Sequence, residues 1–85
     1  MYAIILARTA LKDLNDIPEP FYSSIERRIA SLSAQPFPHG VTKLSGYKAM
    51  WRVRVGNYRI IYAVDERSKT VDICGIGHRQ SIYKN

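Results

Sequence analysis

The residues of this chain that could do chemistry are concentrated in its second half, where arginines alternate with apolar residues. Arg52 and Arg54 precede a Gly-Asn pair, and Arg59 follows it. A two-residue loop of this kind predicts a β-hairpin, because glycine and asparagine tolerate the positive φ angles that primed turns need. Guanidinium groups stay protonated, and their planar forks suit phosphate. The pattern therefore indicates a hairpin that could bind an anion.

The two-residue loop also predicts which residues face each other. With Gly56 and Asn57 as the loop, Arg54 lies opposite Arg59. Side chains alternate across a strand, so one face is apolar and the other is cationic. The apolar face carries Trp51, Val53, Val55, Tyr58, Ile60 and Tyr62, and the cationic face carries Arg52, Arg54, Arg59 and Ile61. Opposed like charges destabilise a sheet, so the cationic face is either an ordinary solvated surface or a preorganised anion site.

Proton transfer near these arginines would need other side chains. If the bound anion were a phosphate of RNA, cleavage without a metal would require three groups. These are a base for the 2′-hydroxyl proton, positive charge beside the phosphate oxygens and a proton donor for the leaving 5′-oxygen. A guanidinium does not exchange its proton readily, whereas His78 and Tyr83 near the end of the chain are candidates. Two simpler roles stay open: Tyr83 as an aromatic that packs on the sheet, and His78 as an ordinary histidine at a strand end.

Positive charge is confined to the half of the chain that carries these residues. Residues 1–42 contain four basic and four acidic side chains, which cancel. From Lys43 onward there are nine basic residues against three acidic ones, so this half holds the whole net charge of +6. A basic half with interleaved aromatics is typical of a protein that binds nucleic acid or an acidic protein. Charge alone does not choose between these partners.

Length and composition limit the class of protein. A chain of 85 residues with 46% hydrophobic and 24% charged residues is typical of one small globular domain, here residues 1–85. It lacks an apolar run of about 18 residues and a signal-peptide pattern, so we expect a cytoplasmic protein without membrane contact. Cys74 is the single cysteine and is expected to pack as a small hydrophobe. We expect no metal and no cofactor.

The elements that must position these residues follow from periodicity. Tyr2–Leu6 is expected to form a strand, and Thr9 is expected to cap a helix. The segment Pro18-Glu19-Pro20 is expected to end the first helix and to start a second, since proline is tolerated in the first turn of a helix. The apolar residues expected on the two helices are Leu11, Leu14 and Ile17, then Phe21, Ile25, Ile29 and Leu32. The helical hairpin needs an apolar partner, and the apolar face of the sheet supplies one.

The remaining residues predict a loop and three strands. Residues 35–42 form a loop by composition, and strands are expected at residues 47–55, 58–64 and 70–76. The expected fold is a small α+β domain, β-α-α-β-β-β, with a helical hairpin packed on a mainly antiparallel sheet. If Val64 opposes Val71, Tyr62 meets Ile73, and Cys74 lies beside Ile61 on the cationic face.

Three motifs in this order resemble a known family. They are KL-x-G, then W-R-V-R-x-G-N-Y-R-I-I-Y-A-V-D, then V-D-I-C-G-I-G-H-R-x-x-I-Y. The pattern is similar to the toxins of the RelE/ParE superfamily, and most similar to its RelE branch, over essentially the whole chain. The resemblance implies a ribosome-dependent endoribonuclease that cuts messenger RNA in the ribosomal A site. It also implies a cognate antitoxin that holds the toxin inactive in a hetero-oligomer.

The resemblance also implies roles for single residues. Tyr83 would be the general base or a stacking group, Arg59 and Arg79 would stabilise the phosphate, and Arg52 and Arg54 would contact substrate and stabilise charge. Some members of the family have lysines at these last two positions, and we add His78 as a candidate acid. The set is completed by Lys43 and Lys48 as substrate-binding residues. Two alternatives stay open: a ParE-like inhibitor of DNA gyrase, and an inactive relative that only binds the antitoxin.

Overall fold

One five-stranded sheet and two helices make up the computed structural model, which describes residues 1–44 and 50–78. The elements are β1 (Ala3–Leu6), α1 (Arg8–Asn15), α2 (Phe21–Ser31), β2 (Thr42–Lys43), β3 (Met50–Val55), β4 (Tyr58–Asp65) and β5 (Thr70–His78). Within the described ranges, no helix is long and apolar enough to cross a membrane.

The strand order in the sheet is β1-β5-β4-β3-β2. β1 pairs with β5 in parallel, and all the other pairings are antiparallel. The predicted α+β class, with two helices on a mainly antiparallel sheet, is confirmed. The predicted loop ends at Thr42, and no strand was expected at Lys43. These two residues form a short edge strand instead. β3 begins at Met50, and residues 47–49, where the strand was expected to begin, lie outside the described residues.

The β3–β4 hairpin has the predicted register. Every predicted pair is present, from Val55 with Tyr58 to Trp51 with Tyr62. The loop is the Gly-Asn pair, and Gly56 has a φ of 60°, which is what a type II′ turn requires of its first central residue. The two faces of the hairpin are therefore those that the alternation of the sequence predicts.

The helices cover the apolar face of the sheet. The largest fully buried side chains of the core between helices and sheet are Tyr62, Ile25, Leu32, Ile60, Ile73 and Val71. Burying one such side chain stabilises the fold by about 1.5–3 kcal/mol, before entropy is counted. Two residues expected in the core are exposed, since Leu11 is 47% and Phe21 is 45% accessible. On α1 the small Ala10, which is fully buried, lies at the contact with the sheet, and Leu11 lies at the margin of the apolar stripe.

The β4–β5 pairing contains an irregularity that the sequence did not indicate. Tyr62 pairs with Ile73 as predicted, but the register then shifts, and Ile61 pairs with Gly75 rather than lying beside Cys74. One extra residue in β5 is a β-bulge, which bends and twists the strand. The half of β5 that follows the bulge therefore leaves the direction that a regular hairpin would give it.

Helix α1 lies along β5 on the side where β1 ends. Thr9 was expected to cap this helix, but the N-cap residue is Ala7, without a side-chain hydrogen bond. The Thr9 hydroxyl donates instead to the carbonyl oxygen of Cys74, at 2.9 Å. A threonine at this position is thus used to join the helix to the bulged strand.

Candidate functional site

The outer surface of the β3–β4 hairpin, which we call the arginine face, carries Arg52, Arg54, Arg59 and Ile61. Arg54 is paired directly with Arg59, and Arg52 is paired with Ile61. Arg54 is exposed, whereas Arg52 and Arg59 are half-buried. On its other side Arg59 is paired with Gly77, which adds no side chain to the face. Cationic side chains fixed at this spacing by backbone pairing create a local positive potential that attracts anions.

A shallow recess of about 190 Å³ opens at one side of the arginine face. Gly40, Thr42, Arg52 and Arg54 line it. Thr42 reaches this position because β2 pairs it with Arg52, which puts both side chains on the same face of the sheet. Gly40 has a φ of 90° and open space where a Cβ would stand, so its backbone is accessible to a bound group. Two guanidinium groups and a hydroxyl in one recess are suited to a phosphate.

The loop beside this recess is fixed by the core of the protein. The buried Tyr62 hydroxyl donates to the carbonyl oxygen of Pro36 at 2.8 Å. The Phe37 ring meets the Trp51 ring edge to face, with centroids 4.9 Å apart. Burial raises the pKa of Tyr62 to about 12, so its hydroxyl keeps the proton that this bond needs. The loop is therefore a fixed wall of the recess.

Lys43 does not join the arginines. Its partner across β2 and β3 is Trp51, so it lies on the opposite face of the sheet from Arg52. The ammonium nitrogen lies 5.6 Å from the centre of the Trp51 ring, a cation–π contact. Thr42 is the β2 residue that lies beside Arg52 and lines the recess. No sequence pattern indicated it as a site residue.

His78, the candidate proton donor, lies at the end of β5 and is exposed. It is paired with Tyr58, and the two rings meet edge to face with centroids 5.5 Å apart. Tyr58 also contacts Phe21 of α2, at 5.6 Å between ring centroids. These three rings lie at the helix side of the sheet, whereas Arg59, next in the chain after Tyr58, belongs to the arginine face. The structure therefore places His78 near the end of the arginine face but not on it.

Cys74 has the properties of a small packed residue. It is half-buried, and its thiol lies 3.5 Å from the carbonyl oxygen of Asp72. Burial raises the pKa of the Cys74 thiol, and the negative charge of Asp72 raises it further. The thiol is therefore protonated at neutral pH, and a protonated thiol is a poor nucleophile.

Three predicted site residues, Lys48, Arg79 and Tyr83, lie outside the described residues. Of the other five, Arg52, Arg54 and Arg59 are brought together, and Lys43 and His78 belong to the other face. Residues 1–44 and 50–78 contain no group of three or more histidine, cysteine, aspartate or glutamate side chains that could hold a metal ion. The chemistry that the arginine face offers is permanent positive charge.

Fold and site together define a small basic α+β domain, with helices on one face of its sheet and a cationic surface on the other. A family model described as "ParE toxin of type II toxin-antitoxin system, parDE" matches residues 4–83. Toxin RelE3 of Methanocaldococcus jannaschii is 32% identical over 84 residues, which covers 94% of this chain and 93% of that protein. Putative toxin RelE1 of the same organism is 29% identical over 87 residues, covering 99% of this chain and 97% of that protein.

The fold leads to the same group of proteins. An archaeal RelE from Pyrococcus horikoshii OT3, solved as a RelE–RelB complex, has a TM-score of 0.82 and 27% sequence identity. The match covers 93% of this chain and 96% of that one. The chain belongs to the RelE/ParE superfamily, the toxins of type II toxin–antitoxin systems, and its relatives carry the names of the RelE branch.

Proposed function

We propose that this toxin is a ribosome-dependent endoribonuclease that cuts messenger RNA in the ribosomal A site and thereby stops translation in the cytoplasm. The observation that carries the proposal is the pairing of Arg54 with Arg59, beside Arg52, on an otherwise regular hairpin. Opposed like charges destabilise the sheet. A phosphate that lies between them is attracted by both guanidinium groups and offsets their repulsion. The names of the RelE relatives add support for RNA as the source of that phosphate.

The reaction would need no metal. The 2′-oxygen of one nucleotide attacks the adjacent phosphorus, and the bond from phosphorus to the 5′-oxygen of the next nucleotide breaks. A base removes the 2′-hydroxyl proton, and an acid returns a proton to the leaving oxygen, so the products are a 2′,3′-cyclic phosphate and a 5′-hydroxyl. Preorganised positive charge stabilises the extra negative charge on the phosphate oxygens during this exchange.

The roles proposed for single residues follow from their chemistry and from the resemblance. Arg59, with Arg79, stabilises the phosphate in the transition state. Tyr83 is the general base or stacks on a base of the RNA, and His78 is the candidate acid. For this role His78 must approach from the end of β5, since it starts on the Tyr58 face of the sheet.

Substrate binding is proposed for a second group of residues. Arg52 and Arg54 would hold the RNA backbone along the arginine face, and the recess beside them would accept a phosphate. The candidates Lys43 and Lys48 would contact more distant parts of the message or the ribosome. For Lys43 this follows from its position over Trp51, away from the arginines.

A cognate antitoxin is the proposed protein partner. The relative from Pyrococcus horikoshii was solved as a RelE–RelB complex, and a toxin that stops translation needs an inhibitor in the cell that makes it. The net charge of +6 favours an acidic segment that folds on binding. We expect the two proteins to co-purify as a hetero-oligomer, with a complex that weakens at high salt.

Inhibition of DNA gyrase is the second candidate function, because the matching family model is that of ParE. A gyrase inhibitor would cause DNA damage and leave messages intact, whereas the nuclease would cut messages and leave DNA intact. A third outcome, no growth arrest at all, would identify an inactive relative that only binds the antitoxin. Induced expression followed by mapping of message ends and by a gyrase supercoiling assay separates the three.

Addition of the purified toxin to a translating extract tests the nuclease directly. We expect cuts within A-site codons, and we expect Arg59→Ala to lower the cleavage rate by about 10²–10³-fold, the usual cost of one charge-stabilising group. Arg79→Ala and Tyr83→Phe should each lower it by at least about tenfold. Arg67→Ala is the matched control, because Arg67 is an exposed arginine in the turn between β4 and β5. Equal rates for the Arg59 and Arg67 variants would contradict the site.

A further inference from the structure

The half of β5 that follows the bulge is the part of the sheet that joins the arginine face to the proposed proton-transfer residues. Gly77 is paired with Arg59, His78 is the last residue of the strand, and Arg79 follows in the chain. The position of this half-strand relative to β4 therefore sets where His78, the candidate acid, lies relative to Arg59. Any mechanism that combines the two ends of the site depends on its register.

Side-chain packing specifies that register weakly. The segment is Cys-Gly-Ile-Gly-His, and only Ile76 within it reaches the core, where it is 3% exposed. Glycine-rich strands are prone to slip, because they lack the alternating side chains that distinguish one register from the next. A slip of one residue would reverse the faces on which Ile76 and His78 lie. Side-chain packing alone therefore specifies the register of β5 after the bulge only weakly, and hydrogen bonds at the outer edge of the strand add to it.

Helix α1 supplies hydrogen bonds to the outer edge of β5 after β1 has ended. The last residue of β1 pairs with Ile73, and the backbone N–H of Ala7 donates to the carbonyl oxygen of Ile73 at 3.0 Å. One residue further, the Thr9 hydroxyl donates to the carbonyl oxygen of Cys74 at 2.9 Å. Because β1 has ended, the outer edge of β5 has no neighbouring strand beyond Ile73 among the described residues, so side chains of α1 take the place of that strand.

Asp13 completes this series one turn along the helix. Its carboxylate oxygen Oδ2 accepts a hydrogen bond from the backbone N–H of Ile76 at 3.1 Å. Thr9 and Asp13 are four residues apart, so both point from the same face of α1 toward the strand. They hold the residues on the two sides of Gly75, and a carboxylate that accepts from a backbone N–H forms a strong, charge-assisted bond.

We propose that Asp13 and Thr9 are positioning residues, which fix the register of the bulged end of β5 and so hold Gly77 opposite Arg59 and set the position of His78. Neither residue belongs to the arginine face, and the proposal gives neither a part in the chemistry. The proposal rests on the proposed nuclease function for its effect on rate, but its structural part concerns the free protein. A misplacement of about 1 Å at a reacting group lowers a rate by about 10²-fold, so a modest change in strand position is enough.

Two substitutions at each position test this role. Asp13→Ala removes the acceptor, whereas Asp13→Asn keeps an oxygen in the same place. In the same way Thr9→Val removes the hydroxyl, and Thr9→Ser keeps it. We expect Asp13→Ala and Thr9→Val to lower the single-turnover cleavage rate on saturating ribosome–message complexes by at least about tenfold. The half-saturating concentration should change less than about threefold, and Asp13→Asn and Thr9→Ser should restore most of the rate.

Asp65 provides the matched control at the other end of the same two strands. Its carboxylate oxygen Oδ1 accepts from the backbone N–H groups of Arg67 and Ser68, at 2.9 and 3.3 Å. Asp65→Ala therefore removes carboxylate–backbone hydrogen bonds from the turn that joins β4 to β5 and leaves the bulged end in place. We expect it to leave the cleavage rate within about threefold of the unmodified protein. A rate for Asp13→Ala equal to that of Asp65→Ala would overturn the proposal.

Amide hydrogen exchange in the free protein separates this proposal from the function on which it rests. Exchange at Gly77 and His78 should accelerate at least about tenfold in Asp13→Ala and stay unchanged in Asp65→Ala. If the unmodified protein fails to cut messages, the nuclease proposal is wrong, and the exchange data still decide whether α1 fixes β5. Unchanged exchange at Gly77 and His78 in both Asp13→Ala and Thr9→Val would overturn the positioning role. Should Asp13→Ala not fold, Thr9→Val, which loses a single hydrogen bond, carries the same comparison.

Discussion

The sheet contains two hairpins that share β4, and they are built in different ways. β3–β4 is regular from end to end, with a two-residue turn and an uninterrupted register. β4–β5 has a longer turn and a bulge, and the outer edge of β5 beyond Ile73 is bonded to a helix rather than to a further strand. The regular hairpin fixes permanent charges at defined spacing by local pairing alone. The irregular one leads toward the residues proposed for proton transfer, and its geometry depends on α1.

This difference indicates a division of labour within the site. Charge stabilisation requires rigid placement of cations before the substrate arrives, and a regular hairpin with backbone pairing on both strands provides it. Proton transfer requires a group at hydrogen-bond distance from a reacting oxygen, and a bulge re-aims a strand for such a purpose. The two hairpins should therefore respond differently to substitution, in stability and in activity.

The largest expected effect concerns adjacent residues of β4, the strand that both hairpins share. Ile60 is fully buried on the helix side, and Ile61 is half-buried on the arginine face. We expect Ile60→Ala to lower the free energy of unfolding by about 2–5 kcal/mol, because it leaves a cavity in the core. Ile61→Ala, the matched control one residue along, should cost about 1 kcal/mol or less. Similar costs in urea unfolding would mean that the register of β4 is wrong.

The β3–β4 hairpin could be predicted from the sequence because its signal is local. Alternation over five residues on each side of a Gly-Asn pair predicts both the turn and the register, and the pairing of Arg54 with Arg59 follows directly. The arginine part of the site was predictable for the same reason. Nothing beyond the neighbouring residues decides which face those side chains occupy.

The remaining features depend on contacts between distant parts of the chain. The bulge at Cys74 is held by Thr9 and Asp13, more than 60 residues away in sequence, and Thr9 was taken for a helix cap. Thr42 joins the recess because it is the β2 residue that pairs with Arg52, a two-residue strand with no periodicity of its own. Lys43 is predicted to bind substrate, and its pairing with Trp51 puts it on the face of the sheet opposite Arg52, a face that no sequence pattern indicated. Charge and composition do not specify a face.

A smaller effect concerns Tyr62, which connects β4 to the wall of the recess. Tyr62→Phe leaves the buried carbonyl of Pro36 without its 2.8 Å hydrogen bond, and we expect a loss of about 1–3 kcal/mol in the free energy of unfolding. Burial raises the pKa of Tyr62 to about 12, so its protonated form is favoured in the folded state. Its contribution is therefore complete below pH of about 10, the unfolded value, and is lost as the pH rises through about 12.

Urea unfolding of the unmodified protein and of the Tyr62→Phe variant at pH 8 and pH 11 measures both parts of this prediction. The lower pH is about two units below the pKa of an unfolded tyrosine, and the higher pH is about one unit above it. The difference in the free energy of unfolding between the unmodified protein and the Tyr62→Phe variant should be larger at pH 8 than at pH 11. Subtracting the variant removes the contribution of the other tyrosines and of the lysines, which titrate in the same range. A difference that stays constant between the two pH values would contradict a raised pKa for Tyr62.

The smallest expected effect has the opposite sign and concerns the charges of the regular hairpin. Arg54 is exposed and lies directly opposite Arg59, so Arg54→Thr removes a repulsion and adds a residue with high β-propensity. We expect the free energy of unfolding to rise by about 0.2–1 kcal/mol. Salt screens exposed charges, so the gain should shrink at high ionic strength. Arg67→Thr, an exposed arginine without such a partner across the sheet, should change stability by less than about 0.5 kcal/mol.

The same variant should be a weaker nuclease, since Arg54 is also a proposed contact to the RNA backbone. A higher free energy of unfolding together with a lower cleavage rate would mean that Arg54 destabilises the fold and contributes to RNA binding. If Arg54→Thr instead lowers stability, the arginine face contributes to the fold, and the charge pairing no longer argues for an anion site. The outer surface of the β3–β4 hairpin would then be an ordinary solvated surface rather than an anion site.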